Sequence, residues 1–218
     1  MAGEYVSERE AVLAAVRRIV DEGLVAGASG NVSCRAGSGL YAITASRVPY
    51  HRFGLADVLV VDDEVEPVVG TGVPSSESLT HLAVYQARPD VGAVIHTHSP
   101  YASAFAVAGE PIAPVLDEQV VAIGGAVLVA EYAPSASEEL ARNAVAALAE
   151  RAAVLLRNHG AVIATADLDE AVAVAVLLER VAKVCILSRI IGRTGELPAD
   201  VVAAEAAAYR MMKGLRET

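Results

Sequence analysis

The chain has no tryptophan and is only 4% aromatic, yet it is 54% hydrophobic, so its core must be built from Ala, Val, Leu and Ile. Cysteine is almost missing too. Cys34 and Cys185 are too few and too far apart for a disulfide framework, which suits a reducing cytoplasm. Cys34 could ligate a metal, but a small buried side chain is the simpler expectation. Cations are outnumbered, 17 Lys and Arg against 27 Asp and Glu, for a net charge of −10. That excludes nucleic acid as a partner, because neutralising phosphates needs basic patches. An anionic ligand must instead be met locally, by N–H groups, hydroxyls or a metal. Long uncharged apolar runs are also lacking, despite a mean hydropathy of +0.44. The best membrane candidate, Ala171 to Gly192, carries Glu179, Arg180, Lys183 and Arg189. It reads as a buried helix, and no membrane association is expected. The first residues show neither a basic region nor an apolar one, so no secretory leader is expected and a cytoplasmic location is.

What is present reads as one α/β domain over residues 1–218, with short strands between helices. A helix capped by Ser7 runs from Glu8 to about Glu22, its apolar positions recurring at helical spacing. Val32–Arg35 and Leu40–Thr44 pair as a hairpin across Gly37-Ser38-Gly39, and Asp57–Asp62 is a further strand. The stretch from Asp63 to Pro74 reads as loop. A helix starts near Ser75-Ser76-Glu77, a strand ends at His96, and a short helix follows Pro100. Val127–Ala130 is a strand, and a helix opens at Ser137 and reaches about Arg151. Two strands about Asn158-His159-Gly160 come next. Two final helices span Asp167 to Ile191 and Ala199 to about Gly214.

The chemistry concentrates in few residues. In Gly92-Ala-Val-Ile-His96-Thr-His98 the two imidazoles share one face, because successive strand side chains alternate. His159 sits in a turn at another strand end, with Gly160 permitting close backbone approach. Three histidines leave a fourth tetrahedral position open, the arrangement of a catalytic zinc. Mn²⁺, Co²⁺ or Fe would also fit such a set. His51, in a polar loop, and His81, inside a helix, are expected to be exposed and structural respectively. Ser75, Ser76 and Glu77 form a helix start able to meet phosphate or carboxylate, with Asn31, Thr44 and Ser46 available to the same anion. Taken singly, each of these suits turn or capping duty equally well.

Gly30-Asn31, Thr44-Ala-Ser46, Ser75-Ser76-Glu77, His96-Thr-His98 and Asn158-His159-Gly160 occur in an order that resembles the class II aldolase/adducin head family. Within it the fuculose phosphate aldolase branch is most similar. The resemblance runs from the first helix to Gly214-Leu215-Arg216. It implies a three-layer α/β/α fold with a mixed, largely antiparallel sheet, in a homotetramer with active sites between subunits. It implies zinc on His96, His98 and His159. Glu77 would ligate the resting metal, then swing away as acid/base. A phosphate would sit among Gly30, Asn31, Ser46, Arg47, Ser75 and Ser76. The implied reaction is aldol cleavage of a small phosphorylated ketose to dihydroxyacetone phosphate and an aldehyde, through an enediolate. That chemistry needs a Lewis acid and one proton carrier but no Schiff-base lysine. None is evident, since Lys183 and Lys213 are the only lysines.

Four positions depart from that branch. Arg47 stands where it has glycine. Glu118, beside Asp117, occupies the place of a proton-donating tyrosine, Lys213 that of a second tyrosine, and an aromatic near Ser135 is missing. Glu118 is therefore either a second proton carrier or a solvated loop carboxylate. Relatives with the same centre include decarboxylases, dehydratases and epimerases, the last with Asp in place of Glu77. Decarboxylation of a carboxylated substrate is the alternative reading, which Arg47 would suit by bidentate pairing. A non-catalytic interaction module like the adducin head is the third, and an intact ligand set argues against it.

Overall fold

A computed structural model describes residues 5–214, so Leu215 and Arg216 of the resemblance lie outside the described residues. Strands β1 (Asn31–Gly37) and β2 (Leu40–Thr44) form the expected hairpin. With β3 (Val58–Val61), β4 (Pro67–Val69), β5 (Ala93–Thr97), β6 (Val129–Ala130), β7 (Ala153–Leu156) and β8 (Ala161–Thr165) they build one sheet. Its order is β4-β3-β2-β1-β5-β8-β7-β6, antiparallel everywhere except the β6–β7 pair. The central strands are covered on both faces, which is why Val58–Val61 and Ala153–Leu156 are apolar runs without alternation.

One face is covered by α1 (Val6–Asp21), α3 (Pro100–Ala108) and α6 (Leu168–Ile191). Val12, Val16, Ile95, Phe105, Ile163 and Leu178 share that core. The other face carries α2 (Ser78–Ala87) and α5 (Glu138–Leu148), which pack on Val94, Val154 and Val162 through Leu82, Val84 and Leu140. The short α4 (Asp117–Ile123) packs against α7 (Ala199–Met212). The result is a three-layer α/β/α fold with a mixed, largely antiparallel sheet.

Several sequence expectations shift. Tyr5, in a left-handed conformation, precedes α1. Ser7 lies inside the first turn and donates to Glu8 instead of capping. Helix α2 begins at Ser78, because the Ser75 hydroxyl accepts from the Glu77 N–H and the Ser78 hydroxyl donates to the Ser75 carbonyl, a turn that precedes the helix. The Asp63–Pro74 loop contains edge strand β4. The segment around Asp117 and Glu118 is helical, and α5 ends at Leu148, not Arg151. Helix α6 is buried along one face only, and Ile190 and Ile191 are exposed. No helix is long and apolar enough to cross a membrane among the described residues.

The topology brings three kinds of chain end together. His96 is on the β5 face that carries Val94, the face under α2 and α5. Glu77 is the residue from which α2 starts, and Ser135 lies just ahead of Ser137, the N-cap of α5. Both helices of that layer therefore begin where the imidazoles stand.

Candidate metal centre and anion pocket

Strand β5 sets His96 inside the sheet, opposite Asn31 on β1 and Val162 on β8. The His96 ring is 1% exposed. Its Nδ1 lies 2.9 Å from the Ala161 carbonyl. A carbonyl only accepts, so Nδ1 carries a proton and Nε2 is the nitrogen that faces the other rings. His98 follows the strand end, with its Nε2 2.8 Å from that of His96. His159 enters from the β7–β8 turn, where Asn158 takes a left-handed conformation. The three rings lie 4.7 to 4.9 Å apart at steep mutual angles. Their ligand atoms all fall within 4.8 Å of one another.

Two glycines permit this convergence. A Cβ on Gly160 would stand 2.2 Å from the Thr97 carbonyl and 3.0 Å from His98 Cδ2, so only glycine lets the turn approach β5. Gly30, at φ +79°, presses against the His96 carbonyl, which a Cβ would meet at 2.7 Å.

Glu77 closes the group. Its Oε2 lies 2.9 Å from His96 Nε2 and accepts from Asn31 Nδ2 at 3.2 Å. Its Oε1 lies 3.1 Å from His159 Nε2 and accepts from the Ser135 hydroxyl at 3.0 Å. Burial alone would raise the Glu77 carboxyl. The charge of His96 and hydrogen bonds from His159 and His96 outweigh it and hold the group far below the usual carboxylate range. Burial, then repulsion from His96 and His159, pushes His98 down to about 4. Three imidazole nitrogens and the carboxylate oxygens thus crowd one spot, a donor set that could hold a metal ion. A divalent metal fits it, since three imidazoles and one carboxylate are borderline ligands with a proton-donating partner behind His96.

Beside this centre is a largely polar pocket of about 230 Å³. Gly30, Asn31, Ser46, Arg47, Ser75, Ser76, Glu77, His98 and His159 all line it. Arg47 is exposed and sits at φ 62°, a left-handed conformation rare for a long side chain. Two expected members are not brought together with the rest. Thr44 is 2% exposed, and its hydroxyl accepts from the Val32 N–H, so it fixes the hairpin rather than facing the pocket. Glu118 lies on α4, half exposed and paired with Arg180 on α6, outside the pocket of its own chain. Ser135 lines the pocket and was legible in the sequence only as a missing aromatic.

Other singled-out residues are structural. His81 is fully buried against the Ser33 hydroxyl at 2.6 Å, and burial with the charge of His96 pushes it down to about 3. His51 is exposed. A cavity of about 670 Å³ between α1 and the start of α6 has Cys34 in its wall. Burial and then Glu8 push that thiol up to about 12, which favours the protonated form of an unreactive buried cysteine. Lys213 pairs with Glu170.

A His₃ centre with a carboxylate, at the ends of strands in an α/β/α sandwich with an antiparallel sheet, matches a known family. Residues 10–186 match the Class II Aldolase and Adducin N-terminal domain, and the chain belongs to that family. It is an aldehyde-lyase of a metal-dependent class. It is 37% identical over 184 residues to a 5-methylthioribulose-1-phosphate/5-deoxyribulose-1-phosphate aldolase of Rhodospirillum rubrum, covering 84% of this chain and 82% of that protein. It is 34% identical over 150 residues to the L-fuculose phosphate aldolase of Escherichia coli K12, 68% of each chain. A solved L-fuculose 1-phosphate aldolase superposes with a TM-score of 0.88 at 32% identity, covering 94% of this chain and 96% of that one.

Proposed function

We propose that the protein is a zinc-dependent lyase that cleaves a small ketose 1-phosphate to dihydroxyacetone phosphate and an aldehyde. The observation that carries this is the convergence of His96, His98 and His159 on the Glu77 carboxylate at the floor of a polar pocket. The names of the relatives bracket the substrate: fuculose 1-phosphate on one side, 5-deoxyribulose 1-phosphate and its methylthio analogue on the other. Zinc suits three imidazoles with an open position, and Mn²⁺ or Co²⁺ could replace it.

When bound, the metal supplies a Lewis acid that stabilises negative charge on the carbonyl and hydroxyl oxygens next to the breaking bond. The rest is the work of the chain. Ser46, Arg47, Ser75 and Ser76, with backbone at Gly30 and Asn31, hold the phosphate. Arg47 supplies the one guanidinium in the lining of this pocket. Glu77, ionised at rest, takes a proton from the substrate hydroxyl as the carbon–carbon bond breaks and returns one to carbon.

The pocket is smaller than the roughly 300 Å³ at which sites for drug-sized ligands begin. A small ketose phosphate suits that size, and a homotetramer with sites between subunits is what the family resemblance implies. Glu118, distant from its own pocket, would act as a second proton carrier only across such a contact. Two free, buried cysteines accord with a cytoplasmic setting.

The test is a panel of ketose 1-phosphates offered to Zn²⁺-loaded protein, with dihydroxyacetone phosphate and CO₂ release both followed. Dihydroxyacetone phosphate release lost in E77Q establishes the reading. CO₂ release instead would establish decarboxylation on the same centre.

A further inference from the structure

Ser135 is the one pocket residue bound to Glu77 that neither the histidine set nor the phosphate cup requires. We propose that it is a positioning residue: its hydroxyl fixes where the Glu77 carboxylate rests and stations it for proton transfer. This inference rests on the lyase reading and adds a residue to it.

The carboxylate is suspended between two neutral donors. Asn31 Nδ2 holds Oε2 from the buried side, 5% exposed, while the Ser135 hydroxyl holds Oε1 from the exposed wall of the pocket. The Ser135 hydroxyl is thus the donor to Glu77 on the pocket side. Oε1 also faces His159 Nε2, so Ser135 and that imidazole share one oxygen. Without the hydroxyl, His159 alone would set the position of Oε1.

The segment carrying Ser135 is shaped for this. Ala136 stands at φ 61°, a strained conformation for a residue with a Cβ. The Ser137 hydroxyl donates to the Pro134 carbonyl at 2.6 Å and accepts from the Leu140 N–H at 3.1 Å, tying the turn to the start of α5. Helix α5 packs on α2, the helix that begins at Glu77. Ser135 and Glu77 are thus set by two adjacent helix starts, and their distance is fixed by the packing between those helices. Ser135 is exposed, so its replacement leaves the core packing intact.

The experiment compares the wild type with S135A and S135T, each loaded with Zn²⁺, on the best ketose 1-phosphate, with E77Q as the control for the reaction itself. S135A is expected to lose on the order of ten- to a hundred-fold in kcat, the worth of one hydrogen bond to a charged group. KM, bound zinc and Tm are expected to stay unchanged, and S135T to restore most of the loss. Unchanged kcat in S135A, or a loss that S135T does not repair, overturns the proposal while the wild-type and E77Q rates leave the lyase reading standing. A readout independent of turnover accompanies it. In crystals of metal-free S135A the Glu77 carboxylate is expected to leave its wild-type position or to take more than one. A single unmoved carboxylate overturns the proposal even if no ketose 1-phosphate is cleaved.

Discussion

Asn31 stands directly opposite His96 in the β1–β5 ladder, and its amide reaches the same carboxylate oxygen that faces the His96 ring. One register thus fixes a metal-facing imidazole and a donor to its carboxylate neighbour together. A slip of one residue would turn both to the opposite face.

Loss of any one imidazole should empty the centre. H96A, H98A and H159A are each expected to bind substoichiometric zinc by elemental analysis after dialysis. Turnover should fall by about a thousand-fold or more, the scale of losing the Lewis acid. In the wild type, chelation should lower Tm and added Zn²⁺ restore it, because a ligand that binds only the folded state stabilises it.

Arg47 offers a clean separation of fold from function. Glycine adopts its φ of 62° without strain, so R47G should keep or slightly raise Tm. The same variant should raise KM for the phosphorylated ketose about ten-fold or more, through loss of a charge-assisted contact. An unchanged KM removes Arg47 from the anion cup.

Gly160→Ala should be among the most damaging single-methyl changes in the chain. The added carbon would lie 2.2 Å from a backbone carbonyl on Thr97, which cannot rotate away. A destabilisation of about 1–3 kcal/mol is expected, as for overpacking elsewhere. Zinc affinity should fall with it, since His98 Cδ2 and His96 Cε1 are the next contacts at 3.0 and 3.2 Å. Denaturant unfolding and zinc titration check both.

Metal-free protein should lose stability as pH falls. His98 and His81 are held down to about 4 and about 3, mainly by burial, against an ordinary value of 6.5. Between 6.5 and about 4 the unfolded chain therefore binds more protons than the folded one, and stability declines with pH through that window. Below 4.5 Glu77 adds to the loss, because its folded carboxyl stays ionised where the unfolded one does not. Thermal unfolding at successive pH values measures this, and a flat Tm across the window would contradict it.

The parts of the site legible in the sequence are those bound to strand ends. His96, His98 and His159 announce themselves because alternation along a strand and a tight Asn-His-Gly turn leave few choices of direction. The hairpin at Gly37-Ser38-Gly39 was equally plain, since its two strands flank adjacent glycines. Thr44 misled because its hydroxyl bonds to a backbone N–H on the paired strand, a contact invisible without the register. Helix α4 was hidden by its brevity and by Pro114 just ahead of it, and edge strand β4 by Pro67 at its start. Ser135 could not be read at all from its neighbours. Its role depends on how far apart two helix starts fall, a product of tertiary packing.

The place of β5 at the middle of the sheet has a practical corollary. Its ladder, closed on both sides by β1 and β8, should be among the last parts of the molecule to exchange amide hydrogens, whereas the turns bearing Arg47, Ser75 and Ser135 sit at the periphery. On the proposed reading, the His96 imidazole and the Arg47 side of the anion cup thereby fall in regions of unequal rigidity. Grafting an alternative turn at Arg47, the one of the three without a bond to Glu77, offers a route to new substrates, with Ser75 and Ser135 kept to hold Glu77.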